Sequence, residues 1–406
     1  MTVSSRALSG VLAAAMLCSE AARAGVWGAD PTVGISGDYG SNPALIEVPH
    51  PSETDAALLF DAPLSYQGNS LTLSLLPSFR VSDTSSYASV NSDYVHLSAS
   101  GEFDTERNTF KVSAGANRDS SLYQNFLVDG EAAVRRDGLS GDLAWTRHLT
   151  ERLDADLDVD TVHVRYGTSA GNATLVSYKD TSVVTDLAWQ GTERDKTTLA
   201  VNAGQYDSLA GTTRSRNYGA QLAYSRSLTE AWSLTVSGGY SRQQNRLDLE
   251  VPELVYIPGY GFTIIGVPVS VESQVDSPVY AARLTRTGPR LTLNLSATRQ
   301  EAPTGFAFLS LQTAYDLQLS YALTQRCSAS LHEYWLRAHD PSLQGGYADR
   351  VVNAVTADLS YQLSEHYTLD LALSRIDETL NAVGLHLVNN QVTLTLNYKF
   401  NHIGFQ

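Results

Sequence analysis

Four stretches of the chain repeat one short turn, and each lies between two runs that alternate apolar and polar residues. The turns occupy residues 148–153, 227–232, 322–327 and 362–367. After the second turn, one face carries Trp232, Leu234, Val236, Gly238 and Tyr240, and the residues between them are mostly serine or threonine. Alternation with a period of two indicates strands with two chemically different faces. Strands of about ten residues that are joined by tight polar turns are typical of a transmembrane β-barrel.

The number of strands follows from the short turns. Four more are predicted at residues 67–69, 104–108, 191–196 and 287–290. With a first strand near residues 32–40 and a last strand near 391–400, the sequence predicts about 18 strands, with 16 as the alternative. Longer connections rich in Ser, Asn, Asp and Gly are predicted at 83–92, 167–177 and 207–217. We therefore expect an all-β fold, a transmembrane antiparallel up-and-down barrel with short periplasmic turns and long extracellular loops.

Apolar and aromatic residues predict where lipid contacts the barrel. Alternate residues of 71–81, 95–103, 317–323 and 392–400 form apolar faces. The predicted short turns are flanked by Phe103, Phe110, Trp145, Trp189, Tyr224, Trp232, Tyr321, Tyr361, Tyr367, Tyr398 and Phe400. Aromatic rings favour the membrane–water boundary, so this clustering predicts a periplasmic girdle. A soluble β-sandwich or solenoid is the alternative, but its rings would be expected in the middle of the strands.

The first 24 residues have the pattern of a secretory signal peptide. Arg6 precedes a short apolar run at residues 7–17, and Ala22-Arg23-Ala24 supplies small residues at the cleavage positions. We expect a signal peptide at 1–24 and an outer-membrane β-barrel of a Gram-negative envelope at 25–406; an ordinary buried helix is the alternative for the first segment. Cleavage leaves Cys327 as the single cysteine, which excludes an intrachain disulfide.

Residues 153–160 form the strand with the most informative charge pattern. In it Asp154, Asp156, Asp158 and Asp160 alternate with Leu153, Ala155, Leu157 and Val159. If the apolar face contacts lipid, the carboxylates face the lumen, and Asp142 and Asp186 extend this acidic wall on neighbouring strands. We expect the wall to favour cationic or polyhydroxy solutes, as charged rings do in pores. The alternative is a solvated lumen face that arginines across the pore partly neutralise.

Residues 245–279 form the longest predicted connection, and it is unusually apolar. Pro258-Gly259-Tyr260-Gly261 is a strong turn signal between two β-rich runs. The segment is interpreted as a hairpin that projects beyond the membrane. A loop that folds inward as a lid or constriction, with Tyr256, Tyr260 and Phe262 at the pore, is the alternative.

Enzymatic function is not expected. The nine histidines are scattered without metal-ligand spacing, and the chain has no nucleophile elbow, phosphate loop or dinucleotide fingerprint. No cofactor and no metal are therefore predicted. The formal net charge of −15 argues against nucleic acid as a partner.

One segment, residues 115–153, carries a family resemblance. It combines an Arg-Asp-x-x-Leu loop at Arg118 and Asp119, an Arg pair at Arg135 and Arg136, and a strand that ends in Leu-Thr-Glu-Arg. This combination resembles the outer-membrane β-barrels associated with exopolysaccharide and exosortase (PEP-CTERM) gene clusters, of the β-barrel porin 2 type. The resemblance implies a role in moving or assembling extracellular polysaccharide. For the four matching residues, the alternative is an Arg–Asp cluster that pins one extracellular loop over the pore.

Three functions stay open at this point: a channel linked to polysaccharide export, a general or nutrient diffusion porin, and a non-conducting outer-membrane scaffold. The expected surroundings are outer-membrane lipid and lipopolysaccharide. The final strand, which ends on Phe400, resembles the signal read by the outer-membrane assembly machinery, a further expected partner. Polysaccharide or export machinery is a partner of the first function only. The oligomeric state is left open.

Overall fold

The structure is a single closed antiparallel β-sheet. A computed structural model describes residues 25–43, 45, 52–84, 93–120, 135–167, 175–257, 261–303, 309–339, 349–381 and 384–405. The predicted signal peptide at 1–24 lies outside the described residues. No helix within the described ranges is long and apolar enough to cross a membrane.

The sheet contains 21 strand segments. The first ten are β1 (Val26–Ala29), β2 (Thr32–Gly40), β3 (Glu53–Asp61), β4 (Leu64–Gln67), β5 (Leu71–Thr84), β6 (Tyr94–Asp104), β7 (Asn108–Ser120), β8 (Arg135–Thr150), β9 (Leu153–Tyr166) and β10 (Tyr178–Thr192). The others are β11 (Asp195–Ser208), β12 (Thr213–Ser227), β13 (Trp232–Ile257), β14 (Gly261–Thr287), β15 (Leu291–Pro303), β16 (Leu309–Ala322), β17 (Cys327–His339), β18 (Arg350–Gln362), β19 (Tyr367–Leu380), β20 (Leu385–Lys399) and β21 (Ile403–Phe405).

The 21 segments make up 18 barrel strands. From β5 to β20, each segment pairs antiparallel with the next one in the chain, and β2 closes the cylinder by pairing with both β3 and β20. The remaining three segments continue strands that are interrupted near one end. The predicted all-β barrel of about 18 strands is therefore confirmed.

Short breaks interrupt three adjacent strands at the closure seam. The segments β3 and β4 both pair with β5, on either side of a break at Ala62 and Pro63. Beyond the break, β1 pairs with β4 and β21, so the sheet stays closed. Proline has no backbone N–H to donate to a ladder, which explains why Pro31 and Pro63 lie at breaks. Their carbonyl oxygens still accept bonds, since Phe400 N donates to Pro31 O over 3.0 Å and Asp30 N to Pro63 O over 3.1 Å.

All eight short turns predicted from the sequence join neighbouring strands at the same end of the barrel, called here the short-turn end. The opposite end is called the loop end. One predicted long loop, at residues 207–217, is wrong because β11 and β12 are joined there by residues 209–212 alone. Gly211 adopts a φ of 74° in this tight turn, and its N–H donates to Ser208 O over 2.9 Å. The alternation also continues through Arg214 and Arg216, so strand β12 begins earlier than the polar composition suggests.

The outer face of the barrel is apolar between two rows of aromatic side chains. Near the short turns, the exposed rings include Phe110, Trp189, Tyr224, Tyr321, Tyr361 and Tyr367. Nearer the loop end, a second row contains Tyr218, Tyr240, Tyr280 and Tyr315. Leu222 lies between the rows on β12, is 57% exposed, and pairs with Leu199 of β11. Exposed leucines between two aromatic rows match the surface of a barrel surrounded by hydrocarbon.

A pair of adjacent substitutions tests this assignment of faces. Leu222→Arg places a charge on the outer face, whereas Gln221→Arg places the same charge on the lumen face. Because an arginine near the middle of the lipid-facing band destabilises a barrel by about 2–4 kcal/mol, we expect Leu222→Arg to lower the free energy of unfolding by that amount. Gln221→Arg should change it little. The measurement is urea unfolding in phospholipid vesicles, and equal losses for both variants would contradict the assignment.

Candidate functional site

The lumen face of β8, β9 and β10 forms a continuous acidic wall. The structure places all six residues of the predicted wall there: Asp142 on β8, Asp154, Asp156, Asp158 and Asp160 on β9, and Asp186 on β10. The register aligns Asp142 with Asp160 and Asp156 with Asp186. The outer face of the same strands pairs Leu143 with Val159. Strict alternation alone therefore separates the carboxylates from the apolar surface.

Three of these carboxylates form the centre of the wall. Oxygen atoms of Asp142, Asp158 and Asp160 all lie within 4.8 Å of one another. Asp158 Oδ1 and Asp186 Oδ1 accept no hydrogen bond from any described residue. Negative charges this close repel one another, and a cation that passes them relieves the repulsion. Carboxylate oxygens are also ligands that hard cations prefer.

Two contacts anchor the wall at the short-turn end. Thr146 Oγ1 donates a hydrogen bond of 2.6 Å to Asp156 Oδ1. His148 Nδ1 lies 2.7 Å from Asp154 Oδ1. These contacts come from the neighbouring strand β8 and fix the orientation of the first two carboxylates. The carboxylates at the short-turn end of the wall are therefore hydrogen-bonded, whereas those at its centre face one another.

Three lumen arginines, Arg80, Arg136 and Arg350, bind other carboxylates. Arg80 bridges Asp38 and Asp55, with both N–O distances at 2.7 Å. Arg136 binds Asp119 through two hydrogen bonds of 2.9 and 3.0 Å, and Arg350 binds Glu378 at 2.7 Å. Because each of these guanidinium groups is paired with another carboxylate, the three arginines do not neutralise the acidic wall.

The wall ends in an apolar cluster at the loop end. Along the lumen face of β9, Asp160 is followed by Val162 and Val164. Val164 packs with Tyr178 of β10, Tyr206 of β11 and Leu309 of β16, and all four side chains are nearly inaccessible to solvent. The rings of Tyr178 and Tyr206 stack at a centroid distance of 5.2 Å. We call Val164, Tyr178, Tyr206 and Leu309 the mouth cluster.

Leu309 reaches the mouth cluster because the β15–β16 hairpin enters the lumen. β14 stops pairing with β15 at Tyr280 and Arg299, while β15 and β16 stay paired as far as Pro303 and Leu309. Leu309 lies five or more strands away from β9, β10 and β11 around the sheet. A contact with their lumen face therefore requires the hairpin end to cross the mouth. Gln243 of β13 supports it, since its Nε2 donates to Leu309 O over 3.2 Å.

A second segment folds inward on the opposite wall. Leu45, from the connection between β2 and β3, packs with Leu380, Leu385 and Leu387 at the loop end of β19 and β20. Asn42 N also donates to Asn389 Oδ1 of β20 over 2.9 Å. In a sheet of 18 strands, β19 and β20 lie about half a turn from β9 and β10. The mouth is therefore narrowed from two opposite sides.

The residues predicted as a possible lid lie in a different hairpin. Tyr256 of β13 and Phe262 of β14 are backbone partners in a hairpin that is paired continuously from Trp232 and Arg286 to Ile257 and Gly261. Tyr260 lies outside the described residues, as do the side chains of Tyr256 and Phe262. Their role at the pore stays a prediction.

The four residues of the family resemblance divide between the two faces of the barrel. Asp119 and Arg136 face the lumen, where Asp119 also lies 3.4 Å from His96 Nε2. Arg118 and Arg135 face outward, and both bind Asp137, at 2.7 and 2.6 Å. All four lie in paired strands near the loop end. They therefore form two ion-pair groups on opposite faces of the barrel.

Leu309 and the inward hairpin are elements of the mouth that the alternation pattern and the turn residues do not predict. The available signal is the apolar run Phe306-Ala307-Phe308-Leu309, which lies between the predicted short turns at 287–290 and 322–327. Such a run is unusual for a solvated loop and indicates a partner surface. The sequence does not specify that this partner lies across the lumen.

Comparison with known proteins gives remote structural likenesses. No model of a protein family matches the chain, and no curated protein matches it. OccAB2 of Acinetobacter baumannii is similar in structure, with a TM-score of 0.47 and 12% identity over 94% of this chain and 98% of that one. OpdQ of Pseudomonas aeruginosa has a TM-score of 0.47 and 10% identity, over 92% and 98% of the two chains. The ferric-catecholate import receptor Fiu of E. coli K12, in its open form, has a TM-score of 0.47 and 9% identity, over 91% and 82%. Residue roles in this chain are therefore argued from its own geometry.

Cross-linking tests the inward position of the β15–β16 hairpin. In a chain that carries Cys327→Ser, Leu309→Cys is combined with Val164→Cys, and the folded barrel is treated with a short bis-maleimide. Since both side chains belong to the mouth cluster, we expect an internal cross-link, seen as a shifted band after denaturation. The matched control combines Leu309→Cys with Leu387→Cys on the opposite wall and should give no such band. A shifted band only in the control would place the hairpin elsewhere.

Proposed function

We propose that this chain is an outer-membrane channel that admits small cations and polyhydroxy solutes through a constricted mouth. The observation that carries the proposal is the row of Asp154, Asp156, Asp158 and Asp160 along the lumen face of β9. Three lumen arginines, Arg80, Arg136 and Arg350, are paired with other carboxylates, so they do not neutralise this row. A negatively charged wall raises the local concentration of cations.

A closed cylinder with an apolar outer face supports the membrane location. Backbone groups within hydrocarbon need internal partners, and a barrel without free edges satisfies this requirement. Short turns of bacterial barrels lie in the periplasm and longer loops outside the cell. The short-turn end is therefore assigned to the periplasm, and the mouth narrowed by Leu45 and Leu309 to the cell exterior.

The two inward segments support selection by size. Barrels of 16–18 strands leave an aqueous channel when nothing enters the lumen. Here Leu309 and Leu45 pack against opposite walls at the loop end, and Arg350 and Glu378 beside them are only 3% and 2% exposed. The acidic wall lies nearer the short-turn end than these buried side chains, and its carboxylates are partly accessible to solvent. A solute thus passes a narrow mouth first and the carboxylates second.

Charge neutralisation tests the proposal. Asp154, Asp156, Asp158 and Asp160 are all changed to Asn, and the reversal potential of the channel is measured in a salt gradient across a planar bilayer. Because the row attracts cations, we expect the cation-to-anion permeability ratio to fall severalfold. The matched control changes four outward carboxylates, Asp137, Asp207, Asp248 and Asp276, to Asn. An unchanged ratio in the first variant, or an equal fall in both, would overturn the acidic wall as the selective element.

Conductance tests the mouth. Leu309→Asp places a charge in an apolar site, and burial of an unpaired carboxylate is so costly that the hairpin end is expected to leave the lumen. Single-channel conductance should then rise by severalfold. Leu309→Met keeps volume and polarity and serves as the control, with conductance near that of the unchanged chain. An unaltered conductance in the Asp variant would show that the hairpin does not limit the passage of ions.

Polysaccharide export is a second proposal, and it rests on the resemblance at Arg118, Asp119, Arg135 and Arg136. A lumen rich in carboxylates also suits polyhydroxy chains, which donate hydrogen bonds to such groups. Deletion of the gene should abolish secreted polymer if the chain exports it, and should slow uptake of small solutes if it is a nutrient porin. A scaffold, with the mouth fully blocked, would instead give no single-channel conductance in a planar bilayer. Folding into the membrane would engage the outer-membrane assembly machinery in all three cases.

A further inference from the structure

The outer face of β10, β11 and β12 carries a polar groove near the loop end. Its volume is about 480 Å³, and it is lined by Lys179 and Thr181 on β10, Gln205 on β11, and Arg216 and Tyr218 on β12, with Val183 and Ala203 towards the apolar band. Alternation fixes these directions, because Tyr178 and Tyr206 on the same strands face the lumen. We call this feature the outer groove.

The charge of the outer groove is positive although the chain has a net charge of −15. Arg214 lies beside the groove, and its Nε binds Asp207 Oδ1 at 2.6 Å. The other oxygen, Asp207 Oδ2, accepts a hydrogen bond of 2.6 Å from Gln205 Nε2. The one carboxylate of the groove is therefore engaged at both oxygens. Asp207 is the cross-strand partner of Lys179, but among the described residues no carboxylate oxygen lies within 4.0 Å of a side-chain nitrogen of Lys179 or Arg216.

The height of the groove matches the headgroup layer of a membrane. Tyr218 belongs to the aromatic row at the loop end, and Arg216 lies two residues further on the same face, or about 7 Å along the strand. Such rows mark the boundary between hydrocarbon and headgroups. Exposed apolar side chains continue on the other side of Tyr218, at Leu222 and Val201. A ligand that fills the groove thus meets cations above the boundary and hydrocarbon-facing side chains below it.

We propose that the outer groove binds the phosphorylated headgroup of a glycolipid of the outer leaflet, that is, lipopolysaccharide. Lys179 and Arg216 stand on either side of β11, two strand spacings across and two residues along, or about 12 Å apart at the backbone. Both donate charge-assisted hydrogen bonds to phosphate oxygens, and Arg216 does so in a fork geometry. Gln205 and Thr181 supply neutral polar groups for the sugar. The acyl chains lie along the apolar band next to Val183 and Ala203.

The charged groups around the groove come from three sides. Arg165 and His163 lie on the adjacent strand β9, facing outward, and Arg246 lies on β13 beside Arg214. On β13 and β14, Asp248 and Asp276 are paired with Arg246 and Arg242, at 3.1 and 2.7 Å. Asp248 and Asp276 thus have their own partners, whereas Glu272 of β14, opposite Arg246, lies in an adjoining depression with Arg214 and Arg216. Near the groove, the cations Lys179, Arg214, Arg216 and Arg246 outnumber the carboxylates Asp207 and Glu272.

The test compares phosphorylated and dephosphorylated lipid A on the folded mature barrel. The proposal rests on the proposed membrane location, which is tested separately by insertion of the unchanged barrel into phosphatidylcholine vesicles. Native mass spectrometry in detergent then measures binding of bisphosphorylated lipid A to the unchanged barrel and to the double variant Lys179→Gln/Arg216→Gln. We expect at least tenfold weaker binding by the variant, and a similar drop for the unchanged barrel with dephosphorylated lipid A.

A matched variant controls for the loss of two positive charges. Arg337→Gln/Arg375→Gln removes two outward arginines at the loop end of β17 and β19, which are paired with Asp349 and Asp377. It should bind lipid A as the unchanged barrel does, and Lys179→Arg, which keeps the charge, should bind within about threefold of the unchanged barrel. The proposal is overturned if the Gln variant binds within twofold of the unchanged barrel, or if the control loses as much. It is also overturned if millimolar inorganic phosphate displaces lipid A, which would indicate a small-anion site, or if both forms of lipid A bind equally.

Discussion

Closure of the backbone ladder is the constraint on which the rest of the structure depends. A strand edge within hydrocarbon would leave N–H and C=O groups unpaired at a cost of several kcal/mol for each group, so the sheet has to meet itself. Here β2 pairs with both β3 and β20, and the same seam contains Pro31 and Pro63. Proline removes a donor, yet the segments β1, β4 and β21 restore the pairing beyond each break. The seam therefore tolerates irregular backbone only near the short-turn end, where the apolar band has ended.

Once the sheet is closed, the period of two determines the chemistry of each surface. Every strand contributes alternate side chains to the lumen, so one run of Asp residues becomes a wall without any specific long-range contact. The same rule places Val162 and Val164 directly above Asp160 on the same face, where they form the floor for Leu309. The lumen face of β9 thus changes from acidic to apolar between Asp160 and Val162, which are consecutive side chains on that face. The transition from charge to hydrocarbon explains why the inward hairpin packs at the mouth and leaves the carboxylates accessible.

The local features of this fold could be predicted from the sequence, whereas contacts across the lumen could not. The eight short turns and the strand count follow from alternation and turn residues, which neighbours in the chain determine. The connection at 207–217 was misread because its polar residues belong to strands with a solvated outer face, and Gly211 completes the turn in four residues. Arg118 and Asp119 appeared as one motif, yet adjacent residues of a strand face opposite sides. Leu309 contacts Tyr206 across the lumen of the closed barrel. Local sequence patterns relate only neighbouring residues, so they do not predict this contact.

Segregation of charge by face links the two proposals physically. A chain with a net charge of −15 would repel a phosphorylated membrane surface if its charges were evenly spread. The acidic row of β9 instead points into the lumen, while Lys179, Arg214 and Arg216 point outward on the next strands. Water and salt at each face screen its charges from those on the other face, so the two fields act separately. Cations are therefore attracted to the inside and phosphate groups to the outside of the same few strands. Neutralising the charges on one face should leave the other function in place, because the two functions depend on side chains that point to opposite faces of the barrel.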